Sequence, residues 1–406
     1  MLRPSRCSRV GALLTLALAA LDGGAAFSIG RVAGPMVRPT QSLQRGRCAV
    51  PGRGCASVAA LSPPRRRINV GMAVSSPGAG IPAPGSAVAA AADAPAKWKQ
   101  TAKVGFFLLM WYALNVQYNI YNKRTLNMIS MPWILSTVQL AVGSAYVSLI
   151  WALRIRKAPN MTKANIKAIA PLALLHTLSH ICAVVALGAG AVGFVHIVKA
   201  GEPLFTALFS GLFLGQFFSP LVYATLIPVV VGVALASLKE LTFSWVSFAG
   251  AMGSNVAAAS RGVLAKASMD EPKGENMDAG NLYGVMTMLA TLMLAPAAAI
   301  VEGPRIAALL DGAWAAGHTS KAIMKGTVLS GLFFYLYNEV AFYCLNAIHP
   351  ITHAVANTIK RVVLIAVSVV VFNHQLTPLG LVGSGVAIAG VLLYSLAKNF
   401  TANKKD

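Results

Sequence analysis

Charge is scarce in this sequence. Of 406 residues only 11% are Asp, Glu, Lys or Arg, and the acids number 12 against 34 bases. A soluble domain carries about 25% charged residues, so an ordinary water-soluble enzyme or binding module is excluded. Cysteine is also sparse. Cys7, Cys48 and Cys55 fall in the N-terminal region, while Cys182 and Cys344 sit in apolar stretches as small hydrophobes, which leaves no disulfide framework to read. Aromatic residues are not interleaved with the basic ones, so the formal charge of +22 does not describe a nucleic-acid platform.

What the chain has instead is apolarity. Hydrophobic residues make up 56%, mean hydropathy is +0.65, and uninterrupted apolar stretches near the length of a membrane span recur. The runs are continuous rather than alternating, which predicts an all-α membrane protein and not a barrel. Residues 1–97 hold 12 of the 34 basic residues against Asp22 and Asp93. The remaining bases lie mostly in short loops and at helix ends, as membrane proteins place them.

The first residues, MLRPSRCSRVGALLTLALAALDGGAAFS, have a basic start, a short apolar core and small residues before Phe27. That is the pattern of a signal peptide over 1–26. Residues 27–97, rich in Arg, Ser, Pro, Gly and Ala and nearly free of acids, read as a transit-peptide-like leader, the alternative being a disordered cytosolic tail behind an uncleaved anchor. Together the two segments resemble the bipartite leader of proteins sent to complex plastids. The expected mature protein is a transporter domain over 98–400 with a polar tail over 401–406.

Ten spans are expected, at about 103–121, 131–153, 166–187, 191–214, 218–238, 243–266, 281–301, 324–346, 350–372 and 377–397. SPLVYATLIPVVVGVALASL (219–238) aligns without gaps on TPLGLVGSGVAIAGVLLYSL (377–396), matching Pro220 with Pro378 and Gly232 with Gly390. The spans then form two repeats, about 103–238 and 243–397. Five spans each, an odd number, invert the second repeat relative to the first, as in many secondary transporters. Chance similarity between two apolar helices is the competing explanation.

HAVANTIKRVVLIAVSVVVF (353–372) carries Lys360 and Arg361 side by side within an apolar run. A charge there costs about 2.5–3.5 kcal/mol on insertion scales. Lys199, in GFVHIVKAGEPLFTALFSGLFLGQ, stands near the equivalent place in the first repeat. Two related helices each bringing a cation to membrane depth point to an anion site between the repeats. Snorkelling to an interface is the competing role for Lys199 and Arg361. His176 and His180, four apart, could chelate a metal, but no third ligand lies nearby in sequence.

YNKRTLN (121–127), HIVKAGEP (196–203), SNVAAASRGVLAK (254–266), YNE (337–339) and PITHAVANTIKRV (350–362), in this order, resemble the plastid phosphate translocators of the drug/metabolite transporter superfamily. The resemblance covers nearly all of residues 100–398. It implies that Lys199, Lys360 and Arg361 grip phosphate, and that His180, Arg261 and Tyr337 face the rest of the substrate. Arg261 as an interfacial anchor, Tyr337 as a packed aromatic and His180 as a core histidine are the structural alternatives. Glu202 and Glu339 are expected to balance charge or gate, leaving a surplus of two positive charges over the four cations. A phosphate monoester carries about −1.5 to −2.

The resulting expectation is a plastid-envelope antiporter, not an enzyme and with no cofactor or metal. It exchanges inorganic phosphate for triose phosphate, 3-phosphoglycerate or other sugar phosphates by alternating access. The rival readings are a nucleotide-sugar carrier of the same superfamily and an anion channel. A membrane enzyme acting on phosphate esters would need acids or histidines clustered with a metal, and none is evident.

Overall fold

The computed structural model describes residues 85–402 except 239, 242, 268–273, 348–349 and 376. The expected signal peptide, most of the expected leader and the end of the polar tail lie outside the described residues. Phe27–Ala96 is a unit separate from the rest of the chain, and its described part, 85–96, is helical. Among the described residues every regular element is a helix, and the pairing of Asn160 with Glu275 is an isolated bridge between loops.

The helices are α1 Gly85–Met128, α2 Pro132–Ala152, α3 Lys163–Ala189, α4 Val192–Lys199, α5 Glu202–Leu214, α6 Pro220–Ala224, α7 Leu226–Leu238, α8 Trp245–Ala267, α9 Ala279–Val301, α10 Ile306–Ala315, α11 Ser320–Ala347, α12 Pro350–Phe372 and α13 Pro378–Ala402. Among the described residues, seven segments are long and apolar enough to cross a membrane: α2, α3, 192–214, 220–238, α9, 355–372 and 378–401. The other three expected spans coincide with α1, α8 and α11, which are long enough but more polar. Their polarity has a local cause. These helices carry Asn115, Asn119, Asn255, Ser260 and Ser330, all buried inside the bundle. Leu109, Leu149, Leu212, Ile227, Leu292 and Val370 point outward, a surface suited to hydrocarbon.

Two expected spans are not continuous. The segment 191–214 breaks at Ala200–Gly201, because Pro203 has no N–H to continue the ladder and its ring crowds the preceding turn. The segment 218–238 breaks at Thr225, since Pro228 cannot donate to the carbonyl of Ala224. Elsewhere local chemistry sets the ends: Thr162 and Asn165 form a reciprocal capping box at the start of α3.

Three of the packed helix pairs join the first half of the chain to the second. α2 packs on α9, α4 on α12, and α7 on α13. In the last pair a Cβ on Gly232 would strike the Gly383–Ala387 backbone, and one on Gly390 would strike Val229, so these glycines permit close backbone approach. Each pair is antiparallel. The start of α2 meets the end of α9, where Glu302 accepts from the N–H groups of Trp133 (3.1 Å) and Ile134 (2.8 Å). The end of α2 meets the start of α9, where Trp151 Nε1 donates to Asn281 (2.9 Å). Lys123 clips α1 to the α3–α4 corner, donating to the carbonyls of Leu187 (2.8 Å) and Gly190 (2.9 Å). Those carbonyls are left free by the helix end.

Candidate functional site

A cavity of about 460 Å³ opens between α1, α3, α4, α8, α11 and α12, and its wall holds every predicted site residue except Glu339. Lys199 is the last residue of α4, and Glu202 the first of α5. The break forced by Pro203 therefore puts a cation and an anion on either side of a two-residue joint. Arg361 lies at the middle of α12 and is only 7% exposed. Its Nη2 donates to Glu202 Oε2 at 3.1 Å, so the acid that starts α5 meets the guanidinium of α12. Lys199 Nζ donates to the hydroxyl of Ser254 on α8. Lys360 Nζ stands 4.6 Å above the ring of Trp111 on α1, and that ring stacks on His353 at 5.3 Å. Three cations thus reach one cavity from two antiparallel helices, each with a different internal partner.

At another part of the wall, Arg261 Nη1 donates to His176 Nδ1 at 2.7 Å. A nitrogen accepting from a guanidinium has no lone pair for a metal, which removes the chelating reading of the His176–His180 pair. His180 lies against Phe334, ring centroids 4.0 Å apart, and Tyr337 against Tyr118 at 5.3 Å. His196 shares a 3.0 Å hydrogen bond with Asn119.

Glu339 is set apart from this group. It forms an ion pair with Arg156, beyond the end of α2. Two residues along a helix is about 200° of rotation, so Glu339 and Tyr337 face opposite sides of α11. The expected charge count changes accordingly: the cavity has Glu202 against Lys199, Arg261, Lys360 and Arg361, a formal surplus of three.

Several lining residues escaped the reading of the sequence, among them Trp111, Asn115, Asn119, His196, His353 and Asn357. Their signal was periodicity. Trp111, Asn115, Tyr118 and Asn119 recur at i, i+4, i+7 and i+8, and so do His353, Asn357, Lys360 and Arg361. Each set is one face of a helix, polar or aromatic within an apolar span. Trp111 is the member with a specific electrostatic consequence. A cation over an indole gains about 0.5–1 kcal/mol when exposed and about 2 kcal/mol or more when desolvated. Trp111→Leu is therefore expected to weaken phosphate binding by roughly two- to thirtyfold, with Trp111→Phe intermediate, read as the KM for phosphate in exchange assays. Equal KM in Trp111→Leu and wild type would show that Lys360 does not need the ring.

Known proteins resemble this chain over most of its length. The Triose-phosphate Transporter family model matches residues 102–395. Glucose-6-phosphate/phosphate translocator 2, chloroplastic, of Arabidopsis thaliana is 38% identical over 305 residues, 74% of this chain and 76% of that one. Phosphoenolpyruvate/phosphate translocator 1, chloroplastic, of the same plant is 36% identical, covering 77% of this chain and 76% of that one. The triose phosphate/phosphate translocator, non-green plastid, chloroplastic, of Brassica oleracea var. botrytis is 36% identical over 79% of both chains. With most of its length matched in this way, the chain belongs to the Triose-phosphate Transporter family.

Proposed function

We propose that this protein is an antiporter of the plastid envelope that exchanges inorganic phosphate for phosphorylated three-carbon compounds or sugar phosphates. The observation that carries the reading is the convergence of Lys199, Lys360 and Arg361 on one buried cavity with Glu202 as its acid. Such a set would be costly at membrane depth unless it met an anion. The relatives' names supply the chemistry: each is a translocator of phosphate and a phosphorylated metabolite, and each is chloroplastic. In this reading the three cations take the phosphoryl group, and His180, Arg261 and Tyr337 take the organic end. Residues 1–26 and 27–97 act as an address, and 98–400 carry transport.

The mechanism is alternating access by two inverted repeats of five spans. Support comes from the antiparallel pairs, since α2 with α9, α4 with α12 and α7 with α13 are counterparts in the repeat register. A two-fold axis in the membrane plane sets those counterparts that meet across it antiparallel to one another. The contact of Gly232 with Ala387 has Gly390 with Val229 as its symmetry equivalent, and both occur.

The test is reconstitution in liposomes loaded with phosphate. External labelled triose phosphate, 3-phosphoglycerate, glucose 6-phosphate and phosphoenolpyruvate are offered singly. Uptake of at least one, matched by phosphate efflux, is expected. Uptake of none, or preference for a nucleotide sugar, would overturn the assignment.

A further inference from the structure

Arg261 is held by an imidazole whose chemical state the geometry dictates. A guanidinium offers only donors, so His176 Nδ1, at 2.7 Å from Arg261 Nη1, must present its lone pair. His176 is therefore neutral, with its hydrogen on Nε2. The ring is enclosed by aromatic neighbours. His176 is 4% exposed, with Tyr283 edge-on at 5.6 Å and Phe334 at 6.2 Å between centroids. Its Nε2 is buried and has no hydrogen-bond partner among the described residues. Turning the ring over about its Cβ–Cγ bond would put Cδ2–H in the place of Nδ1 and take the acceptor away from the guanidinium. The aromatic walls and the hydrogen bond thus agree on one orientation, and a long, flexible arginine side chain inherits it.

The cations of the cavity come from two sets of elements. Lys199, Lys360 and Arg361 come from α4 and α12, whereas Arg261 and His176 come from α8 and α3. Whatever His176 does to Arg261 bears on the second set. We infer that His176 is a positioning residue for substrate selection: by fixing Arg261 it sets the affinity for the organic part of a phosphorylated substrate relative to that for inorganic phosphate. Because Arg261 can only donate, the favoured class has an acceptor-rich second end, a carboxylate or hydroxyl oxygens. The inference rests on the proposed assignment of Arg261 to that end of the substrate.

The experiment compares His176→Leu, which removes the acceptor, with His176→Asn, whose Oδ1 falls close to the place of Nδ1. Each reconstituted full chain is assayed in phosphate-loaded liposomes for uptake of phosphate and, separately, of 3-phosphoglycerate and glucose 6-phosphate. His176→Leu is expected to raise the KM for the organic phosphates about tenfold relative to the KM for phosphate, the scale of one lost hydrogen bond to a charged group. His176→Asn is expected to restore most of that ratio. An unchanged ratio in His176→Leu, with all KM values rising or falling together, would overturn the inference and leave His176 a packing residue. A His176→Asn variant as altered as His176→Leu would do so too. Wild-type chain that exchanges neither phosphate nor any organic phosphate would instead sink the transport reading, and this inference with it.

Discussion

Arg361→Ala is expected to abolish exchange, with initial uptake falling by roughly a hundredfold or more. Arg361 is buried at the centre of α12, faces the cavity and already engages Glu202 with one nitrogen. A guanidinium has five donors in a planar fork, so it can hold Glu202 and still present donors to phosphate oxygens. Removing it deletes charge-assisted hydrogen bonds worth about 1.5–3 kcal/mol each. Two of them amount to roughly two to four decades of affinity. It also leaves Glu202 as an unpaired anion beside the site, which repels the incoming dianion. Arg361→Lys keeps the charge but loses the planar fork, and should recover only part of the activity. Lys360→Ala should fail for a simpler reason, the loss of one point charge from a dry site. Uptake of labelled phosphate into phosphate-loaded liposomes, on variants shown by thermal unfolding in detergent to be folded, measures each effect. Wild-type KM in Arg361→Ala would mean that the guanidinium serves only to pair with Glu202.

The sequence made these residues visible because membrane helices are a sparse background. Against an apolar run, Lys360-Arg361 and Lys199 stand out as unfavourable insertions that demand a cause, and the alignment of 219–238 on 377–396 related their positions. Helix positions were legible for the same reason, since continuous apolar length is a strong signal. The breaks at Ala200–Gly201 and Thr225 were less so. Proline was present at 203 and 228, but hydropathy averaged over a span does not register a missing hydrogen bond. Pairings across the bundle were not legible at all. Nothing in sequence ties Arg156 to Glu339, 183 residues apart, or gives His176 rather than His180 to Arg261. Glu339 was grouped with Tyr337 by proximity along the chain, while helical geometry turns it away. Uncharged lining residues such as Asn119 and Asn357 were hidden differently: each alone is tolerable in a span, and only the stripe they form is informative.

Liposomes with no internal phosphate are expected to show almost no uptake, and internal phosphate should restore it. The cavity's formal surplus of three positive charges explains why. Closing the cavity excludes water, and repulsion among the cations grows as the surrounding dielectric falls. A bound phosphate dianion reduces the surplus to about one, so the loaded carrier closes more easily than the anion-free one. Each 1.4 kcal/mol of that difference slows anion-free reorientation tenfold, so a modest barrier suffices to make exchange obligatory. Glu202 acts against this lock. Its carboxylate already neutralises one cation through Arg361 at 3.1 Å, and it competes with phosphate for the same guanidinium. Glu202→Gln should therefore have two opposite effects on two observables. Removing the competitor tightens binding and lowers the KM for phosphate. Removing the neutralising charge raises the cost of closing without an anion, so the residual uptake into phosphate-free liposomes falls further below that of wild type. The ratio of exchange to net uptake, measured with and without internal phosphate, reads both. A higher leak in Glu202→Gln would mean that the Arg361–Glu202 pair holds the carrier shut instead of helping it turn. Rapid wild-type uptake that is indifferent to internal phosphate would point to a channel or uniporter, and the buried cations would then need another reason to be there.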